Sequence, residues 1–338
     1  MNKAINTIHL VLRYKWYDMI ASGEKTEEYR NIQTWKNRFG DNIKYVTFHR
    51  GYSAVTMTYR IKSVSVGIGK TAWGALEDKE VLIIKLGDRI MNKYRLRTDL
   101  TKVWGDRTLR AIEALTDFGD VKKGDIGGYV ESAYNLSQEG TSWIYGDAVV
   151  FGDARVLDDA KVYDNAVVSG NACIFGSARV YGEAMVNGEA EVCGNAMVCD
   201  NAVVCDKAEV YGSARVFCAA RVYGEAEVYG EAEVGGSARV YDEAMVNGKA
   251  EVCGGAVIRR LQDYYVSKNT WSSGRYFTYT RSNRKWSVGC FYGTGEELIA
   301  KAYKDSEVSG REYKRIVEYV EAMYAALDKD KEQSGTNL

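Results

Sequence analysis

The sequence contains no proline, only two histidines and no long apolar run. Proline would remove a backbone donor wherever it occurred, so its absence fits an architecture in which nearly every residue lies in a hydrogen-bonded ladder. No stretch approaches the ~18 apolar residues that cross a bilayer, and the first residues lack the apolar core of a signal peptide. We therefore expect a soluble, cytoplasmic protein with no membrane partner.

The net charge and the cysteine content indicate which ligands and which covalent bonds to expect. The formal net charge is −1, so no global field attracts the chain to nucleic acid, and any anion site must be local. The seven cysteines of a cytoplasmic chain are expected to be free thiols. We predict neither a bound metal nor a cofactor.

A six-residue repeat dominates the middle of the chain. Alanine recurs at every sixth position from Ala148 to Ala256, nineteen times, and Val or Ile follows two residues after each alanine. The fourth position after the alanine is Gly or Asp in 17 of 18 cases, and Cys218 is the exception. Residues two apart on a strand share a side, and Gly or Asp tolerates the backbone of a turn. Each unit thus predicts a short strand and a corner.

Three such units close a triangular coil, and stacked coils satisfy one another's backbone groups. The pattern resembles the hexapeptide-repeat proteins, whose fold is a left-handed parallel β-helix. We predict about six 18-residue coils over residues 144–261. The outward residues of one face are substantially apolar at four positions: Val149, Val167, Met185 and Val203. An apolar stripe favours an interface. It predicts a homo-oligomer, with a trimer favoured by the resemblance, or packing on the chain's own C-terminal domain.

The same resemblance suggests acyltransferase activity, but the positions of the histidines argue against it. Such enzymes use a histidine general base on or beside the helix. The only histidines here are His9 and His49, more than ninety residues before the first repeat. Three cysteines at spacing six, Cys193, Cys199 and Cys205, fall on different sides of a coil, so they cannot share a metal or form a disulfide.

Residues 1–92 lack the repeat and predict a small mixed sheet or barrel. Strands are expected at residues 8–12, 25–30, 45–50, 54–66 and 81–86, with a helix at 14–22. On the strand 25–30, alternation would place Lys25, Glu27 and Tyr29 on one side and Glu28 and Arg30 on the other.

The segment Ser22-Gly23-Glu24-Lys25-Thr26-Glu27-Glu28-Tyr29-Arg30 matches G-x-K-x-x-E-x-R and follows a helix containing Trp-Tyr-Asp-Met-Ile. It resembles the ASCH family, whose fold is a PUA-like β-barrel. The segments Phe48-His49-Arg50-Gly51-Tyr52 and Ile84-Lys85-Leu86-Gly87 agree with this resemblance. The resemblance covers about a quarter of the chain and implies binding of RNA or a nucleotide.

The resemblance gives ligand-binding candidates at Lys25, Glu28, Arg30, Arg50 and Tyr52. Some small members of the family are amidohydrolases acting on acetylated cytidine through a lysine and a threonine three residues later. Lys25 matches that lysine, whereas Glu28 stands in the threonine's place, so Lys25 and Glu28 would be the catalytic pair of an enzyme. Alternatively, Lys25, Glu28 and Arg30 form a buried ion-pair network that only stabilises the fold. His49 is interpreted as a structural histidine.

Residues 93–143 predict a connector and an N-terminal cap for the β-helix, since an open end would expose unpaired strands. Within it, residues 108–118 predict a helix or a strand. The cap resembles that of hexapeptide-repeat proteins common in bacteriophage genomes, so the host cytoplasm is the implied location.

Residues 262–338 predict an α+β domain. Strands are expected at 264–266, 276–280 and 286–291, followed by two helices, the second with Ser309 and Glu312 as a capping box. Basic and aromatic residues alternate on its strands and form a secondary candidate patch for nucleotides: Arg275, Tyr279, Arg281, Arg284 and Trp286. In the alternative interpretation, these aromatic side chains pack inward.

Together these features predict a mainly β protein of four parts. The leading interpretation is a noncatalytic RNA- or nucleotide-binding protein, phage-encoded, in which a β-helix rod carries an ASCH domain and a host nucleotide signal is a candidate ligand. The alternatives are an ASCH nuclease or nucleoside amidohydrolase, and a purely structural assembly protein.

Overall fold

The computed structural model describes residues 7–40, 43–52, 56–90 and 92–334 of a mainly β chain. It divides into two compact units, Met1–Asn92 and Lys93–Leu338. Among the described residues, no helix is both long enough and apolar enough to cross a membrane.

The first unit is a half-barrel of five strands. Its elements are β1 (Thr7–Leu12), α1 (Tyr14–Ala21), β2 (Glu27–Arg30), α2 (Ile32–Trp35), β3 (Tyr45–Arg50), β4 (Thr56–Ile68) and β5 (Glu80–Ile90). The strand order is β1-β3-β4-β5-β2, with β1 and β3 parallel and the other pairs antiparallel. Leu10, Ile20, Val46, Phe48 and Ile84 are nearly inaccessible to solvent and form its core. The predicted start of β4 at Ala54 lies outside the described residues.

The second unit opens with a hairpin and one further strand that extend a sheet of the solenoid. These are β6 (Tyr94–Trp104), β7 (Arg107–Ala114) and β8 (Ile126–Val130). Residues 108–118, for which the sequence predicted a helix or a strand, thus begin as strand β7. Strand β8 pairs in parallel with the first strand of the repeat, Val149–Val150.

The repeat forms a parallel β-solenoid of two-residue strands, as predicted. Its strands are β9 (Trp143–Ile144), β10 (Val149–Val150), β11 (Arg155–Val156), β12 (Lys161–Val162), β13 (Val167–Val168), β14 (Cys173–Ile174), β15 (Arg179–Val180), β16 (Met185–Val186), β17 (Glu191–Val192), β18 (Met197–Val198), β19 (Val203–Val204), β20 (Glu209–Val210), β21 (Arg215–Val216), β22 (Arg221–Val222), β23 (Glu227–Val228), β24 (Glu233–Val234), β25 (Arg239–Val240), β26 (Met245–Val246), β27 (Glu251–Val252) and β28 (Val257–Ile258). One of the three stacked sheets, from β9 to β27, has seven strands, so the stack has about seven turns rather than six.

The 18-residue register is confirmed by the pairing of every third strand. Val149 lies beside Val167, Val167 beside Met185, and Met185 beside Val203. The alanine of every repeat and the Val or Ile two residues later are fully buried. The interior is therefore a continuous column of small and branched side chains, which has no room for a ligand.

The corner position has a left-handed backbone at every one of its 18 occurrences, including all five aspartates and Cys218. Glycine adopts this backbone without strain, and aspartate tolerates it. This explains why Gly or Asp occupies the corner position in 17 of 18 units.

The apolar face is shorter than expected. Val149 is 1% exposed within the chain itself, so it is not available to a partner, which corrects its assignment to the face. Met185 is 42% exposed, and Val167 and Val203 are partly exposed. The C-terminal elements contact the far end of the solenoid at β27 and β28 and leave Met185 open.

The chain after the solenoid contains four strands and two helices: β29 (Tyr264–Lys268), β30 (Tyr276–Thr280), β31 (Lys285–Val288), β32 (Phe291–Gly293), α3 (Gly295–Asp305) and α4 (Glu307–Ser334). The strands form one antiparallel sheet in chain order. The single strand predicted at 286–291 is two strands joined at Gly289, which has a positive φ. Helix α4 begins at Glu307, so Ser309 is not its cap. Instead, Ser309 donates its N–H to the hydroxyl of Ser306 at 3.0 Å.

These elements close the end of the solenoid. The last coil has no following coil to accept its backbone N–H groups, and three hydroxyls accept them instead. Glu251 N–H donates to Thr278 Oγ1 at 2.9 Å, and Val257 N–H donates to Ser282 Oγ at 2.7 Å. Asn247 N–H donates to the hydroxyl of Tyr264, whose ring packs on the solenoid core. The strands after the repeat are therefore the C-terminal cap.

At the other end of the solenoid, Asn135 has the corresponding role. Its fully buried side-chain amide donates to the carbonyl groups of Gly152 and Ala154, both at 2.9 Å. The cap predicted for residues 93–143 thus satisfies acceptors of the first coil.

Candidate functional site

A buried lysine and a buried glutamate lie at the entrance to strand β2. Lys25 is 2% exposed and Glu28 is 3% exposed. Lys25 precedes the strand, because β2 begins at Glu27 rather than at residue 25. The alternation expected from residue 25 is therefore wrong, and Lys25 lies with Glu28 and Arg30 instead of opposite them.

The three side chains form one ion-pair network. Lys25 Nζ lies 2.7 Å from Glu28 Oε2, and Arg30 Nη1 contacts the other carboxylate oxygen of Glu28. Arg30 also donates to the carbonyl of Tyr29 at 3.0 Å. One carboxylate is thus held between two cations, an arrangement that offsets the cost of burying it.

Aromatic side chains surround the lysine. Its Nζ donates to the carbonyl of Trp73 at 2.7 Å and lies 4.9 Å from the ring centre of Trp16 and 5.3 Å from that of Tyr29. Burial lowers the pKa of Lys25, and the charge of Glu28 opposes that shift. Lys25 is therefore a weaker base than an exposed lysine.

The network forms the floor of an open cleft of about 270 Å³. Its walls include Arg13, Trp16, Trp73 and Gly74, besides Lys25, Glu28 and Arg30. A Cβ at Gly74 would lie 2.9 Å from the Trp16 ring, and Gly74 has a φ of +95°, so glycine lets the loop after Trp73 approach that ring. The sequence motif indicated the floor, but nothing in it indicated that Arg13 and the two tryptophans form the walls.

Arg50 and Tyr52 do not line this cleft. Arg50 pairs with Asp18 of α1, with nitrogen–oxygen distances of 2.9 and 3.0 Å. Tyr52 is fully exposed. His49 contacts His9 through ring nitrogens 3.1 Å apart. These residues therefore belong to a different part of the half-barrel surface from the Lys25 network.

No protein-family model matches this chain, and no curated protein matches it at a significant level. The site must accordingly be interpreted from its own geometry. Within the described ranges, no group of three or more His, Cys, Asp or Glu side chains is arranged to hold a metal ion.

The secondary patch predicted in the C-terminal elements does not form a stacking surface. Trp286 is fully buried, and Tyr279 is 3% exposed, because both pack in the core between the sheet and the two helices. This corrects the stacking role expected for them and matches the inward-packing alternative. Arg275 and Arg284 are exposed, whereas Arg281 pairs with Asp328 of α4.

Proposed function

We propose that the first unit is a noncatalytic binding module of the ASCH type that holds a nucleotide, free or within RNA, in the cleft above Lys25, Glu28 and Arg30. The single observation that carries the proposal is this buried carboxylate, held between two cations on the floor of an open, aromatic-walled cleft.

The walls suit a base. Trp16 and Trp73 are partly exposed. Lys70 Nζ lies 3.8 Å from the ring centre of Trp73, so a base that stacks on this ring would displace the lysine. Stacking of a base on an aromatic ring stabilises binding by about 1–3 kcal/mol and depends little on which base it is. The cleft volume of about 270 Å³ suits a single base rather than a helix of nucleic acid.

The charged groups suit the rest of the nucleotide. Arg13 is exposed at the rim, and Arg30 extends from the floor to within 3.3 Å of the Val11 carbonyl. Guanidinium groups bind phosphate by paired hydrogen bonds. Glu28 is itself engaged on both oxygens, by the Lys25 ammonium at 2.7 Å and by Arg30, so its part is to hold these two cations at the floor of the cleft.

The amidohydrolase alternative is supported by one observation. Burial lowers the pKa of Lys25, which would increase the fraction of neutral, nucleophilic amine. Against it, Glu28 and the Trp73 carbonyl both accept from the Lys25 ammonium and so stabilise the protonated form, which has no lone pair for nucleophilic attack. We therefore favour binding over catalysis.

The solenoid would act as a rigid rod of the left-handed hexapeptide-repeat type. Its filled interior leaves only its outer faces for function. We propose that the exposed part of the apolar face, at Val167, Met185 and Val203, packs on other copies of the chain, with a trimer favoured. Such an assembly would bring several nucleotide-binding units together and increase avidity for RNA.

The proposal is tested by titrating the full chain with nucleoside monophosphates and a short single-stranded RNA in a calorimeter. Arg13→Gln removes a rim cation that has no ion pair among the described residues, so the fold should be unchanged. Affinity should fall about tenfold, as expected for the loss of one charged hydrogen bond. Lys79→Gln is the matched control, because Lys79 is exposed in the same unit and does not line the cleft.

Three results would contradict the proposal or redirect it. Failure of every nucleotide and RNA to bind the wild-type chain would leave the network as a stabilising feature only. Equal affinity of the Arg13→Gln and Lys79→Gln variants would place binding outside the cleft. Release of acetate from acetylated cytidine, lost in Lys25→Met, would establish the amidohydrolase instead.

A further inference from the structure

A second cavity lies among the C-terminal elements, between the turn after β30, the first turn of α3 and the middle of α4. Its volume is about 480 Å³, within the range of small-molecule sites. Residues from all three elements line it: Tyr279, Arg281, Arg284, Thr294, Gly295, Glu296, Glu321, Tyr324, Ala325 and Asp328.

Two buried tyrosines line this cavity without a partner for their hydroxyl groups. Tyr279 is 3% exposed and Tyr324 is 5% exposed, and their ring centres lie 5.2 Å apart. Among the described residues, neither hydroxyl makes a hydrogen bond. The rings are buried, but neither hydroxyl oxygen is itself shielded from the cavity. Two tyrosine hydroxyls with no protein partner thus open into one cavity and can hydrogen-bond to a polar ligand there.

The first turn of α3 adds donors to the same cavity. Thr294 and Glu297 form a capping box: Thr294 Oγ1 accepts from the N–H of Glu297, and the Glu297 carboxylate accepts from the N–H of Thr294. The N–H groups of Gly295 and Glu296 have no acceptor within the helix, and the helix dipole favours an anion beside them. A Cβ at Gly295 would lie 2.5 Å from Cγ1 of Val317, which is buried, so glycine lets α4 pack close to this turn.

The charged side chains that line the cavity indicate which class of ligand it suits. Two arginines face three carboxylates, a net charge of −1, which disfavours a polyanion such as RNA or a nucleoside triphosphate. Arg281 is occupied by Asp328 at 3.1 Å. Arg284, in contrast, has no ion pair in the described part of the chain, and neither has Glu296. Glu321 accepts one bond from the indole of Trp286 at 3.0 Å. Arg284 and Glu296, neither of which is ion-paired, thus lie on one cavity together with Glu321, which accepts a single hydrogen bond.

We propose that this cavity binds a free amino acid through both of its charged groups. The ligand carboxylate would lie between Arg284 and the N–H groups of Gly295 and Glu296. Its ammonium group would lie against Glu321 and Glu296, with the hydroxyls of Tyr279 and Tyr324 completing its hydrogen bonds. This site is separate from the nucleotide cleft and does not depend on it.

The full-length chain is titrated with each standard free amino acid at up to ~10 mM, which would saturate even a site with a Kd of ~1 mM. At least one amino acid should bind with one site per chain. Its N-acetyl and C-amide derivatives should each bind at least ~10-fold more weakly, because each lacks one of the two charges. Binding of a nucleotide but of no amino acid, or of neither, would overturn the proposal.

Two variants locate the binding. Tyr324→Phe removes only a hydroxyl, and Arg284→Asn keeps a residue that tolerates the positive φ of 52° found there. Each should weaken binding about tenfold. Arg275→Asn is the matched control, because Arg275 is an exposed arginine that does not line this cavity. Unchanged affinity in Arg284→Asn would overturn the assignment even if Tyr324→Phe failed to fold.

Discussion

Aspartate at a solenoid corner does more than tolerate the left-handed backbone. Asp158 accepts a hydrogen bond from the N–H of Gly176 in the next coil, at 3.1 Å. Asp200 does the same for Cys218, at 2.9 Å. The corner N–H groups are otherwise outside the ladder, so four of the five corner aspartates add a bond between coils: Asp158, Asp164, Asp200 and Asp206. Cys218 has the same backbone, with a φ of 57°, but no side-chain acceptor of this kind.

We expect Cys218→Asp to stabilise the solenoid by about 1–2 kcal/mol, from relief of the left-handed strain and one added hydrogen bond to Gly236. Differential scanning calorimetry under reducing conditions would measure this as a raised Tm. Cys218→Ala is the control, because it keeps the Cβ and adds no acceptor. An equal gain in both variants would show that the thiol, and not the corner backbone, is the cause.

The caps show how an element made of two-residue strands is terminated. Within the solenoid, alternate backbone N–H groups donate to carbonyls of the adjacent coil, as Arg239 does to Ala256 at 2.8 Å. At the end of the solenoid, the acceptors are side-chain hydroxyls of the chain that follows the repeat. The C-terminal sheet therefore stabilises the solenoid through specific polar contacts, and it covers the strand ends that would otherwise pair with another chain.

We expect Thr278→Val to destabilise the last coil by about 1–3 kcal/mol, because Thr278 is buried and the N–H of Glu251 would lose its acceptor. Ser282→Ala is the comparison. Ser282 is exposed, so water can replace its bond to the N–H of Val257 and the cost should be much smaller. Hydrogen exchange at Glu251 should accelerate in the Thr278 variant alone. Similar exchange in the two variants would mean that the cap acts by packing.

On the scale of the whole molecule, the charges outside the core determine how the solenoid faces differ. The sheet that contains Met185 carries valines in its first half and Arg221 and Arg239 in its second half. A neighbouring sheet stacks three glutamates in register, Glu191, Glu209 and Glu227. Their mutual repulsion adds to burial in raising the pKa of Glu209. Only the first half of the Met185 sheet is thus suited to an apolar interface.

We expect the chain to be a homo-oligomer, with a trimer favoured, and the double change Val167→Glu and Met185→Glu to reduce it to a monomer. Burying two unpaired carboxylates in the interface would cost several kcal/mol. Native mass spectrometry measures the assembly directly and would also detect a nucleotide retained from the cell. Arg179→Glu, an exposed change on another face, should leave the mass unaltered. A monomeric wild-type chain would refute the oligomer proposal.

The sequence by itself determined the solenoid, because each six-residue unit specifies its own two inward residues and its own corner residue. Repetition of the unit then sets the register between coils without any long-range information. The structure confirms the solenoid and its register. The motif from Gly23 to Arg30 predicted Lys25, Glu28 and Arg30 as site residues, and the structure places the three side chains in one ion-pair network. Strand alternation failed there because β2 begins two residues after Lys25, and the start of a strand depends on its partner.

Only the tertiary structure decided which aromatic side chains face solvent. Trp286 and Tyr279 alternate with basic residues, as a binding surface would, yet both are buried under α4. It also decided that Arg13, Trp16 and Trp73 line one cleft, that Arg281 meets Asp328, and that Thr278 closes the solenoid. Each of these contacts joins residues distant in sequence, and no local pattern encodes such a meeting. Periodic contacts follow from the sequence alone, whereas the sites require the packing of separate elements.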